Sequence, residues 1–314
     1  MLNRRLLRIK VFQALYGYQQ DESRDKKAVL SFLEKSVKSV EDEYIFLLSL
    51  PIELRYYVEN EQNPEEILYV PTKKDIDTGR TFIYNRLISS LDRSGLLKSK
   101  LKKSGLNWHN HKEEMRILFN GFKTSNFFQK YLTTTKKDFE SQKELFLHFY
   151  KDYLPKQEEL HALMEELFIH WNDDKKAVFN SLVKTIDPLA SAEEEVELKD
   201  LSDDYEEDWN FCKTLLSNVL SNEAELTEMI SEKTKKWDSE RIADVDMILM
   251  RMSVSELLYF PNIPIKVSIN EYLDISKIYS TPKSSVFLNG ILDKLMNEMK
   301  LNGKIKKSGR GLVE

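Results

Sequence analysis

Residues 241–295 read RIADVDMILMRMSVSELLYFPNIPIKVSINEYLDISKIYSTPKSSVFLNGILDKL, and this stretch decides the fold class. Ile242, Val245, Ile248, Leu249, Met252 and Leu257 recur at steps of three and four, the period of one buried helical face. The sequence PNIP at 261–264 stops that helix. Val267, Tyr272, Leu273, Ile275 and Ile278 line a second helix. Thr281 before Pro282 reads as an N-cap with proline at the first helical position, opening a third helix with Phe287, Leu288, Ile291, Leu292, Leu295 and Met299. No run in the chain alternates apolar and polar residues, so the whole chain is read as all-α.

Working outward, residues 2–20 carry Leu2, Leu6, Ile9, Phe12, Leu15 and Tyr16 at helical spacing. Residues 28–48 repeat the period with Val29, Phe32, Leu33, Val37, Val40, Tyr44, Leu47 and Leu48, and Pro51 is expected to end or kink that helix. Asn63, Pro64 and Pro71 mark a break. Residues 71–190 hold shorter helical patterns, among them Leu160, Leu163, Met164, Leu167, Phe168 and Trp171.

The chain has 314 residues and a formal net charge of −5, which excludes a uniformly basic coat but not a local basic patch. Charge is unevenly placed. Residues 71–151 hold 17 Lys and Arg against 8 Asp and Glu, densest in LKSKLKK at 97–103. Residues 193–208, EEEVELKDLSDDYEED, hold 10 acidic residues and one Lys and read first as a solvated connector. The single cysteine, Cys212, excludes an internal disulfide and reads as a small core residue. No apolar run approaches the ~20 residues of a membrane span, and the start lacks a signal-peptide pattern, so a cytoplasmic protein is expected.

The usual catalytic motifs are absent, so no enzyme and no cofactor is expected. Gly121, Phe122, Lys123 and Thr124 resemble the end of a phosphate loop, but the upstream glycine is missing. His109 and His111 have no accompanying metal motif. Asp244 and Asp246 stand two apart on a helix and so point in different directions. The first helix offers something else: Arg4, Arg5, Arg8 and Lys10 with no acid before Asp21. Arg8, Phe12 and Tyr16 share a stripe at steps of four. Guanidinium groups pair with phosphates and exposed rings stack on unpaired bases, which suits single-stranded RNA; the alternative is that the rings are core and the arginines only solubilise the terminus.

The pieces Arg251 to Leu257, Pro264 to Glu271 and Phe287 to Lys294, with RRLLRIKVFQALY at 4–16, closely resemble the NusB family of transcription antitermination factors. The resemblance covers residues 1–20 and about 208–300, with 26–58 as a weaker match. It implies an all-helical bundle of two small subdomains with a helical insertion. The division it implies is 1–61, amino-terminal helices; 62–205, insertion and acidic connector; 206–301, carboxy-terminal helices; and 302–314, a basic tail.

It also implies RNA binding without catalysis. Family members pair with NusE, a small-subunit ribosomal protein, hold boxA-type single-stranded RNA of ribosomal RNA operons, and join the RNA polymerase antitermination complex. By that match Arg4, Arg5, Arg8, Tyr16 and Phe287 are expected to contact RNA, and Asp246 and Lys283 to lie at the partner surface. Lys283 stands where many members carry an acid, and Val286 where many carry a base. The insertion could extend the RNA path through Lys98, Lys100, Lys102 and Lys103, with Trp108 and its aromatic neighbours nearby. The alternative reading is a helical interaction scaffold that binds no RNA and recruits a partner through the insertion.

Overall fold

The computed structural model describes residues 1–61, 73–234 and 242–307. The break read at Asn63, Pro64 and Pro71, Arg241 of the deciding stretch and Arg310 of the basic tail lie outside these residues. Among the described residues the structure is helical, with no strand.

Two compact units divide the chain: Met1–Leu2 with Lys38–Asp203, and Asn3–Val37 with Asp204 onward. The contact boundary falls inside α2 (Lys26–Glu61), between Val37 and Lys38, rather than at the end of that helix.

The first unit holds the second part of α2 together with α3 (Lys73–Ile83), α4 (Arg86–Arg93), α5 (Gly95–Ser104), α6 (Lys112–Thr124), α7 (Asn126–Thr133), α8 (Phe139–His148), α9 (Glu158–Leu167) and α10 (Trp171–Ile186). A π-helical turn, Phe149–Tyr153, follows α8 directly. The pattern read as one helix over 160–171 is two: α9 stops at Leu167, and Trp171 opens α10 while its indole N–H donates to His161 at 3.0 Å.

Pro51 does not stop α2, which runs on to Glu61. Proline has no N–H, so the Leu47 carbonyl loses its usual helical donor. The buried Tyr150 hydroxyl takes its place, donating to Leu47 O at 3.0 Å and Leu48 O at 3.3 Å. One turn away the Trp108 ring stacks on Phe46 at 4.1 Å and its indole N–H donates to the Phe46 carbonyl. The high aromatic density of the insertion, which marks folded structure, is core, so Trp108 and its neighbours do not line an RNA path: Trp108 is 1% exposed, and Phe82, Phe119, Phe122, Phe128, Phe146 and Phe149 pack ring against ring. Of the four lysines in the basic stretch, Lys98 pairs with Asp92 at 2.9 Å and Lys100 with Glu41. Lys102 and Lys103 are exposed.

The second unit holds α1 (Arg4–Gln20), the start of α2, α11 (Tyr205–Ser221), α12 (Glu223–Thr234), α13 (Asp244–Tyr259), α14 (Ile265–Tyr279) and α15 (Ser284–Leu301). Helix α13 is its axle: α1, α11, α12, α14 and α15 all pack on it, and Ile248, Leu249, Met252 and Leu257 are buried there. Helix α15 begins at Ser284, not at Pro282. Residues 281–284 form a tight turn in which the Thr281 carbonyl accepts the Ser284 N–H at 2.9 Å. Gly290 on α15 is exposed, and a Cβ added there meets nothing within 4 Å. Cys212 is fully buried on α11.

Candidate nucleic-acid interface

Helix α1 opens on Asn3, whose side chain accepts the Leu6 N–H at 2.9 Å. Leu6, Leu7, Val11, Phe12, Ala14 and Leu15 then face inward, which sets the direction of every other side chain on the helix.

Arg8 points inward. Its side chain is 2% exposed and its guanidinium makes a two-pronged pair with Glu256, Nε to Oε2 at 2.8 Å and NH2 to Oε1 at 2.7 Å. Glu256 also accepts from Ser268 Oγ at 2.6 Å and from the Tyr272 hydroxyl at 2.9 Å, so both carboxylate oxygens are doubly bonded into the interior. Burial lowers the Arg8 pKa, and the hydrogen bonds and charge of Glu256 outweigh it, leaving the guanidinium above its ordinary value. Burial first, then the Glu256 charge, pushes the Tyr272 phenol well up. A group so enclosed cannot reach a phosphate, and the geometry removes Arg8 from the exposed set.

Arg4 and Arg5 stay at the surface, with side chains 37% and 45% exposed. Neither is bare. Arg4 pairs with Glu207 and, at 3.5 Å, with Asp208, and its guanidinium lies 4.7 Å over the Phe211 ring. Arg5 grips Glu271 with two bonds of 2.9 Å and reaches Asp274 at 2.8 Å. The Lys277 hydrogen bond, with the Arg5 charge, holds the Asp274 carboxyl below the usual carboxylate range. The end of the acidic run, read as a solvated connector, thus supplies the Arg4 partners.

A groove of about 770 Å³ opens beside these two arginines. Its lining includes Phe211, Tyr259 and Phe260 with the amides of Asn210 and Asn262.

Three turns further along α1, the Tyr16 ring is 41% exposed and leans on buried Phe12, with ring centroids 6.3 Å apart. Phe12 in turn meets Tyr279 at the end of α14 at 5.0 Å. Gln19 and Gln20 donate to Asp244, while Asp246, two residues on, turns inward and accepts from Ser284 Oγ at 2.8 Å. Asp246 is buried, with Oδ1 left without a partner, so it sets the start of α15 rather than presenting a carboxylate. Lys283, next to Ser284, is exposed, as is Val286, and Phe287 is half-buried.

The expected residues therefore fall into two groups at opposite ends of α1. Arg4 and Arg5 stand at one end. Tyr16, with the Asp246–Ser284 contact, Lys283 and Phe287, stands at the other, about 16 Å along the helix by its rise per residue. Charge at the first end is balanced by the carboxylates of Glu207, Asp208, Glu271 and Asp274, and the second end presents rings and the exposed Lys283. Glu256, Ser268 and Tyr272 were not singled out as site residues. The signal for them is a lone glutamate inside the apolar run MILMRMSVSELL, which only a buried cation satisfies. Among the described residues no cluster of His, Cys, Asp and Glu could hold a metal, and no helix is long and apolar enough to cross a membrane.

Comparison with known proteins gives the family of the chain. The family model described as NusB family matches residues 176–297. The transcription antitermination protein NusB of Chloroherpeton thalassium is 44% identical over 105 residues, 33% of this chain and 50% of its own. That of Salinibacter ruber is 38% identical over 104 residues, 33% of this chain and 65% of its own. That of Natranaerobius thermophilus is 34% identical over 113 residues, 36% of this chain and 76% of its own. The chain thus spans half to two thirds of the length of the first two relatives. No solved structure matches it.

Proposed function

The chain belongs to the NusB family, and from that premise we propose that it is a non-enzymatic, RNA-binding transcription antitermination factor. In this reading it holds boxA-type single-stranded RNA together with NusE and joins the RNA polymerase antitermination complex. The observation that carries the reading is the 34–44% identity, over 104–113 residues, to proteins named for transcription antitermination. The surface supports it. Tyr16 and Phe287 offer ring area for a base, Lys283 offers a cation, and Arg4 and Arg5 offer guanidiniums once their carboxylates yield. Arg8 serves by fixing α1 against α13 and α14, and Asp246 by fixing the turn that carries Lys283.

One observation favours the interaction scaffold as a second reading. All three arginines of the first helix are already paired with carboxylates, as they would be in a protein that meets no phosphate.

Binding of a boxA-like single-stranded RNA, with and without purified NusE and across a salt series, separates the two. The RNA reading expects sequence preference, tighter binding with NusE and a slope of ~0.7 per neutralised phosphate. No RNA binding and a retained NusE complex would overturn it in favour of the scaffold.

A further inference from the structure

We propose that the groove beside Arg4 and Arg5 is a nucleobase subsite, taking one unpaired base of the RNA strand that the preceding reading places on this protein. The proposal rests on that reading for the existence of the strand and on the groove for where a base enters.

The groove has room to spare for one nucleotide, at about 770 Å³. Its apolar surface is aromatic. Tyr259, the last residue of α13, lines the groove and is 40% exposed, so its ring face is open to a ligand there. Phe260 follows it in the lining, and Phe211 lies at the base under the Arg4 guanidinium. The polar groups at the edge are of the right kind. Asn210 and Asn262 are exposed, and their side-chain amides have no hydrogen-bond partner among the described residues. A primary amide carries a donor and an acceptor side by side, the pattern that a base edge answers.

Charge arranges the rest. The two exposed guanidiniums stand beside this lining, where the phosphates flanking an inserted base would pass. Glu207 and Glu271, which also line the groove, oppose a phosphate inside it and leave a neutral base as the better-matched occupant. Arg8 also lines the groove, but its guanidinium is paired with buried Glu256, so it brings no unpaired charge to the wall. An RNA strand engaged here and at Tyr16 would run along α1.

The test uses the full chain and a boxA-like RNA with 5-iodouridine placed at one position at a time. Irradiation couples such a base to an aromatic ring stacked on it, and mass spectrometry locates the residue. The expected result is one position that couples to Tyr259. Tyr259→Leu should abolish that coupling and weaken binding about 5- to 20-fold, the range that loss of one stacked base gives. Asn262→Ala should keep the coupling and flatten the base preference at that position. Tyr16→Ala should weaken binding without moving the Tyr259 coupling. Thermal melts establish that each variant is folded, and if Tyr259→Leu is not, Asn262→Ala and the coupling map decide.

RNA binding with no coupling to Tyr259, or with affinity unchanged in Tyr259→Leu, overturns the subsite and leaves the RNA reading standing. Loss of NusE binding in Tyr259→Leu, with RNA affinity intact, overturns it too and makes the groove a protein-docking site. Absence of any RNA binding by the wild type overturns both.

Discussion

Arg8 and Glu256, 248 residues apart in sequence, form a two-pronged ion pair that is closed to solvent within the second unit. The pair ties the first helix to the central helix of the bundle, and Ser268 and Tyr272 bring α14 into the same network. Every lone pair of the carboxylate that faces the interior is used, so the network specifies how three helices meet.

Removing one member of such a pair leaves a buried charge with no counter-ion, at a cost of about 3–5 kcal/mol. Glu256→Ala and Arg8→Ala should each lower the unfolding free energy, read from urea titrations, by that amount. Arg8→Met combined with Glu256→Leu should recover much of it, because no charge is then stranded. A double variant no better than either single one would mean that the hydrogen bonds of Ser268 and Tyr272, not the charge pair, hold the helices together.

Gly121 is explained by Tyr153. The Tyr153 hydroxyl donates to the Leu118 carbonyl at 2.7 Å and lies where a Cβ on residue 121 would stand. Gly121→Ala should therefore destabilise the first unit by about 1–3 kcal/mol, the range for forcing a group into a packed site. Adding Tyr153→Phe should relieve part of that loss, since the hydroxyl is the nearest atom. Equal stability of Gly121→Ala and wild type in thermal melts would sink the argument.

Much of this was legible in the sequence. The three carboxy-terminal helices follow from spacing, and Pro261 and Pro264 separate the first two where expected. The charged start of α1 was visible, but which arginine turns inward was not. Arg8 sits at i−4 from Phe12, a spacing that fits both a surface stripe and a buried one, and its partner comes from a distant segment. The insertion shows the same limit. Helical spacing and aromatic content announce folded structure, yet the stack of Trp108 on Phe46 is a contact between segments 62 residues apart. The continuation of α2 past Pro51 was hidden for a related reason: the donor that repairs the helix, Tyr150, is 103 residues away from Leu47.

Burial first, then the negative charge of Asp208, pushes the Cys212 thiol up to about 12. The folded thiol should not react with a disulfide reagent at pH 8, and should react once urea unfolds the chain. The linkage has a definite sign. Between pH 9 and 12 the unfolded chain loses this proton and the folded chain keeps it, so the contribution weakens as pH rises. From pH 8 to pH 10 the loss amounts to about 1.4 kcal/mol, and Cys212→Ala should be spared that share of the decline. Rapid labelling of the native protein would show that the thiol is reachable.

The carboxylates around Arg4 should act as competitors for phosphate. Glu207 and Asp208 occupy its guanidinium, and an RNA phosphate must displace at least one of them before it can bind. Exposed pairs of this kind are worth at most about 1 kcal/mol each, so the competition is winnable but measurable. Glu207→Gln with Asp208→Asn should tighten binding of a boxA-like RNA roughly 3- to 10-fold at low salt and add ~0.7 to the salt slope, as one more phosphate is neutralised. Glu206→Gln, an exposed change of the same sign in the same turn, should do less because Glu206 does not pair with Arg4. Arg4→Gln in the Glu207→Gln, Asp208→Asn background should cancel the gain, since the freed cation is then gone. If the gain survives Arg4→Gln, or if Glu206→Gln matches it, the effect is general electrostatics and Arg4 is not a phosphate contact.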